Sequence, residues 1–190
     1  MNFPEHPFWD FALRVYRSSG VSDACLEVQE RLGMDVNVLL YCCWVGESGR
    51  GSLTPEALAR ACEAAAPWHE TVVKNLRAVR RALKGGIGAA PKELAENLRR
   101  EIQAREIDAE HIEQLTLAAS VEGLAAERGR PVDARCDDAA ETVARYIARL
   151  DRSPTGEDAK SLAIILAAAF PSLEAERIRT ELERRIHVAF

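Results

Sequence analysis

Four cations at helical spacing are the residues in this chain best suited to form a binding surface. Lys74, Arg77, Arg81 and Lys84 are separated by three, four and three positions, so on a helix they share one face. Arg80 lies among them, and Arg99 and Arg100 follow on the next segment. Lys74 to Arg105 holds nine bases against three acids, Glu93, Glu96 and Glu101; this net +6 leaves −11 on the rest of a chain whose net charge is −5. Such a surface can hold an acidic protein segment or phosphates. Its plain alternative is a solvated face, or one paired with acids elsewhere in the chain. If all four stripe cations neutralised phosphates, log affinity would fall with log salt at a slope of about −3 to −4. Binding of single strands also calls for stacking rings, and Lys74 to Arg105 contains no aromatic residue, which places RNA or DNA behind a protein partner.

Other reactive residue types lack the spacing their chemistry requires. A carboxylate-bridged metal site in a bundle needs paired Glu-x-x-His motifs. Asp108 and His111 supply one Asp-x-x-His spacing without a mate, and His6, His69 and His187 have no suitable acid three positions before them. His111 therefore reads as an exposed or capping residue, and no metal or other cofactor is expected. Cys25, Cys42, Cys43, Cys62 and Cys136 are odd in number, form no Cys-x-x-Cys, and fit reduced thiols packed as small hydrophobes. The GESGRG stretch from Gly46 to Gly51 has glycine directly after Ser48 and no Gly-Lys-Ser/Thr ending, so it fits neither a nucleophile elbow nor a phosphate loop. No catalytic residue is assigned.

The elements that must position these residues are helical. Ala, Leu, Glu and Arg dominate a chain that is 47% apolar, enough for a core without metal or disulfide. The patterns predict helices over about 7–18, 23–31 (with Ser22 as cap) and 36–45 (with Asp35 as cap), the last apolar on nearly every face and so central. Thr54-Pro55 opens another helix, which Ala66-Pro67 is expected to separate from Trp68 to Lys84. In that segment Trp68, Val72, Leu76, Val79 and Leu83 form a stripe expected to be buried. Gly85 to Gly88 is a flexible joint. From Pro91 to about Arg128 a single long helix is preferred, with Leu94, Leu98, Ile102, Ile112, Leu115 and Ala119 facing inward; a break near Ile107-Asp108 is the alternative. Three helices, over 133–150, 156–170 and 172–188, close the chain. The fold class is all-α: a helical core over 1–128 with a long central helix, and a C-terminal three-helix bundle over 129–190 packed on it.

Three strings, FWDFALRVYRSSGVSDACLEVQERLGMDVNVLLYCCW, WHETVVKNLRAVRRALK and NLRREIQAREIDAEHIEQ, resemble a proteobacterial family of conserved proteins of unknown function over roughly residues 7–125. The resemblance implies a helical bacterial cytoplasmic protein and no activity. The amino terminus lacks a basic region followed by an apolar stretch, and the longest apolar run, Leu162 to Phe170, is about half a bilayer span, so a cytoplasmic protein away from membranes is expected. Three function classes remain. The first is a non-catalytic interaction or adaptor protein that binds an acidic protein, or a second copy, through Lys74, Arg77, Arg80, Arg81, Lys84, Arg99 and Arg100. The second is an RNA- or DNA-binding protein using the same surface, and the third an enzyme assembled from scattered residues.

Overall fold

A computed structural model describes residues 3–127 and 129–188. The described residues contain no strand. In chain order the helices are α1 (Pro7–Tyr16), α2 (Val21–Leu32), α3 (Val36–Glu47), α4 (Pro55–Trp68), a π-helical turn (His69–Val73), α5 (Lys74–Ala82), α6 (Lys92–Ala119), α7 (Val132–Ile147), α8 (Gly156–Ala169) and α9 (Ala175–Val188).

Two of the three predicted caps form, those of Asp35 and Thr54. The Asp35 side chain accepts from the Asn37 N–H, and Thr54 does the same for Ala57 ahead of Pro55 in the first turn of α4. Thr155 and Asp158 make a reciprocal capping box at α8. At α2 the cap is Gly20 in the left-handed region, with φ 79°, instead of Ser22, and the helix starts at Val21.

Every residue of α3 from Asn37 to Gly46 is buried, which makes it the axis of the molecule. Its close partner is α7. A Cβ added at Gly46 would lie 2.5 Å from the Ala139 nitrogen and 2.7 Å from the Arg135 carbonyl oxygen, so only glycine permits this approach. One apolar cluster runs from Phe8 through α3 to Leu162, Ile165, Leu166 and Phe170 of α8 and Ile178, Leu182 and Ile186 of α9. The C-terminal helices thus share the core of the preceding ones. Each such buried Leu, Ile or Phe contributes roughly 1.5–3 kcal/mol. The boundary residue Arg128 lies outside the described residues.

Two departures from the sequence pattern shape the site. Pro67 does not separate two helices; it lies inside α4, and the chain continues through the π turn into α5. Proline removes one helical N–H and crowds the preceding turn, and just after it the helix widens into a π turn with the Lys74 N–H bonded to the His69 carbonyl. The extra residue turns everything after it by about 100°. Val73 is buried instead of Val72, and the stripe expected to face the core is half-covered at Leu76 and Leu83 and 48% exposed at Val79. The second departure is α6, which is unbroken at Ile107-Asp108 but ends at Ala119. Its buried face is Ala95, Glu106, Ala109, His111, Glu113, Gln114, Leu117 and Ala118. The leucines expected inside point out: Leu94 is 65% exposed and Leu98 48%.

Candidate functional site

The reversed α5 and α6 faces make an arm. Neither α5 nor the first half of α6 reaches the core except at Ala95, yet the two pack on each other as an antiparallel pair beside the body. Of the nine large apolar residues exposed among the described residues, four (Val79, Ile87, Leu94 and Leu98) lie on this arm and its connection. Leu94 and Leu98 are one helical turn apart and share a face. Apolar residues collected in this way mark a docking surface more often than singly scattered ones do.

The cations divide into two groups, which corrects the expectation of one uncovered ridge. Arg77 and Arg80 are largely covered and turned toward the acids of α6. Arg77 donates from Nε to Glu106 at 3.0 Å, to Glu110 at 2.6 Å and to the Gln29 side chain at 2.6 Å, while Arg80 also grips Glu106 through Nε and Nη2. Glu106, whose side chain is 6% exposed, is the centre of that network. Burial would raise its carboxyl pKa, but the two guanidinium groups overcome this and hold it below the usual value. Lys74 pairs with Glu70 and Arg99 with Glu96, both at 2.7 Å on the surface. Arg81, Lys84 and Arg100, together with Lys92, are exposed and pair with no carboxylate among the described residues. The spacing rule found the face; the acids on α6, one helix away in space and 26 to 33 residues away in sequence, decided which cations stay on it.

Below the base of the arm, a cavity of about 520 Å³ opens between α2, α3, α4 and α5. Its wall includes Asp35, Cys62, His69, Lys74, Arg77, Arg81 and Tyr146. His69, on the π turn, places Nδ1 2.9 Å from Asp35 Oδ2 and 3.2 Å from both Glu113 carboxylate oxygens. Glu113 is fully buried on α6. Asn37 ties the cluster together: its N–H donates to Asp35 Oδ1 at 2.8 Å and its side-chain amide to Glu113 Oε2 at 2.9 Å, while the Gln114 amide donates to the Asn37 carbonyl oxygen at 2.8 Å. The Asp35 N–H donates to the Tyr146 hydroxyl oxygen at 2.8 Å. Burial by itself would lower the His69 pKa, but hydrogen bonds to Asp35 and Glu113 outweigh it and lift the value to about 10. Burial raises Glu113 to about 8, and Asp35, opposed by burial but bonded to His69, stays below its ordinary value.

Spacing along the chain gave no sign of this cluster, because its three members sit on three elements 34 and 44 residues apart. The only local signal was Ala66-Pro67, just ahead of the π turn. His111 is neither exposed nor a cap: it is buried in mid-α6, stacked on Trp9 with centroids 3.9 Å apart and on Phe3 at 4.3 Å. Its pKa is lowered by burial first and by nearby His6 second. The side chain of His187 lies outside the described residues. The cysteines are free, and all but the half-buried Cys62 are buried.

A family match covers residues 7–117, well over half of the chain. The chain belongs to the DUF2390 family, described as a protein of unknown function. The match spans α1 to α5 and nearly all of α6, so the arm and the His69 cluster both lie inside the family region. No curated protein and no solved structure matches the chain. No described helix is long and apolar enough to cross a membrane.

Proposed function

We propose that this DUF2390 protein is a non-catalytic interaction protein whose α5–α6 arm docks an acidic, amphipathic segment of a partner protein. The observation that carries the reading is the exposure of Val79, Ile87, Leu94 and Leu98 on α5, its connection and the first half of α6, a stretch in which the only buried residue is Ala95. An amphipathic helix laid along such a pair would bury those side chains in the way helix-in-groove complexes do. Charge chooses the partner. The unpaired groups on the arm are four cations, Arg81, Lys84, Lys92 and Arg100, against the acids Glu93 and Glu101, a surplus that favours an acidic helix. The same surplus disfavours packing of one arm on the arm of a second copy, where like charges meet. The absence of any aromatic residue between Lys74 and Arg105 argues against stacked nucleic-acid bases.

The test compares proteins recovered at moderate salt by the wild type, by an arm variant (Leu94→Ser, Leu98→Ser, Arg81→Glu, Lys84→Glu) and by a body variant, Ile164→Ser, which alters an exposed isoleucine on α8, away from the arm. The reading expects an acidic protein that the wild type and body variant retain and the arm variant loses. Identical partner sets for all three, or a partner that nuclease treatment removes, would overturn it.

A further inference from the structure

We propose that Asp35, His69 and Glu113 form a binding site for a divalent transition-metal ion of the zinc class, with an open coordination position facing the cavity below the arm.

The donor set is one imidazole nitrogen and two carboxylate oxygens, a combination that suits zinc, manganese or iron more than calcium or magnesium. One ligand atom from each residue lies within 4.8 Å of the other two. His69 Nδ1 lies 2.9 Å from Asp35 Oδ2 and 3.2 Å from Glu113 Oε1 as a hydrogen-bond partner. A bound ion would take the place of the shared proton, released to solvent on binding, and the roughly 3.3 Å edge of a tetrahedron with ~2.0–2.1 Å bonds asks for only a slight widening of these separations.

The supporting shell is built as metal sites require. Asn37 engages one oxygen of each carboxylate, Asp35 Oδ1 and Glu113 Oε2, which fixes both groups and leaves Asp35 Oδ2 and Glu113 Oε1 free of Asn37. Gln114 in turn fixes Asn37, and Tyr146 receives the Asp35 N–H. Such outer contacts set the direction of ligands and typically change affinity 10- to 100-fold.

Access completes the argument. Asp35 and His69 line the cavity wall while Glu113 stands behind them, so an ion held by the three would turn its remaining position toward that space. Lys74, Arg77 and Arg81 line the same cavity, which places positive side chains where an anion completing the coordination would sit.

The experiment uses the full chain, stripped with chelator, dialysed and titrated with zinc chloride alone by calorimetry at pH 7.5. The expected result is one equivalent bound with Kd below about 10 µM, together with a shift of the His69 ring nitrogens in the imidazole region of the wild-type ¹H–¹⁵N spectrum. His69→Gln and Asp35→Asn should each weaken binding at least about tenfold, while Cys62→Ser, which alters the thiol on the same wall, should leave it within about threefold. Weaker binding by the wild type, unchanged imidazole resonances on zinc addition, or binding lost in Cys62→Ser but kept in His69→Gln would overturn the proposal. Because the spectrum is read on the wild type, the site remains testable if a variant fails to fold.

Discussion

Replacing Glu106 by glutamine tests which cations the protein uses internally. Glu106 is nearly buried and accepts from both Arg77, whose side chain is 16% exposed, and Arg80, 26% exposed. Removing one member of a buried ion pair costs about 3–5 kcal/mol because the remaining charge is left without compensation. Two features reduce the loss here. Arg77 keeps Glu110 at 2.6 Å, and Arg80 reaches water along its exposed quarter. The expected cost is therefore near the lower end, about 3 kcal/mol. For a chain of this size that corresponds to a Tm lower by about 6–12 °C. The assay is equilibrium urea unfolding followed by far-ultraviolet circular dichroism, with Glu101→Gln, an exposed change on the same helix, as reference; the reference should shift stability by no more than about 0.5 kcal/mol. A loss below about 1 kcal/mol for Glu106→Gln, within the ordinary worth of exposed pairs, would show that Arg77 and Arg80 are solvated like ordinary surface groups. The division of the cations argued above would then be wrong.

Three further outcomes follow from the packing and the charges. Gly46→Ala pushes a methyl group into the Ala139 backbone, and the forced separation of α3 and α7 should cost at least about 2–3 kcal/mol in the same unfolding assay. Glu106 and Asp158 both have lowered carboxyl values: burial opposes the shift in each, while Arg77 and Arg80, or Thr155 and Arg31, overcome it. Their contribution is fully present above the ordinary values of 4.5 and 3.8 and is lost as pH falls through the lowered ones. Urea midpoints measured from pH 6 down to pH 3 should therefore fall on the acid side, with a shallower slope in Glu106→Gln. Leu94→Ser with Leu98→Ser removes apolar groups that already meet water, so the unfolding midpoint should stay within about 0.5 kcal/mol of wild type.

Much of the fold was open to pattern reading because caps and apolar periods are local. Asp35, Thr54 and Pro55 placed helix starts correctly, and the all-round apolar run after Asp35 identified the central helix. The reading failed where a distant partner decides the outcome. A 3.6-residue period carried across Pro67 ignores the π turn and misassigns the buried face of α5. On α6 the period located a leucine stripe correctly but assumed that apolar means inside; buried partners such as Arg77, His69 and Trp9 instead draw Glu106, Glu113 and His111 inward. The His69 cluster was invisible for the same reason, since its members approach only after α3, the π turn and α6 have packed. The basic face was found by spacing, but which of its cations remain free follows from those α6 carboxylates.

The docking role of the arm is tested most directly by a photocrosslinking amino acid placed at Leu94 and activated in living cells, with the same substitution at Ile164 on α8 as comparison. The account predicts a discrete adduct to an acidic protein at position 94, absent at position 164 and lost when Arg81 and Lys84 are reversed to glutamate. No adduct at position 94, an adduct to nucleic acid, or an adduct only to the arm of a second copy would contradict it.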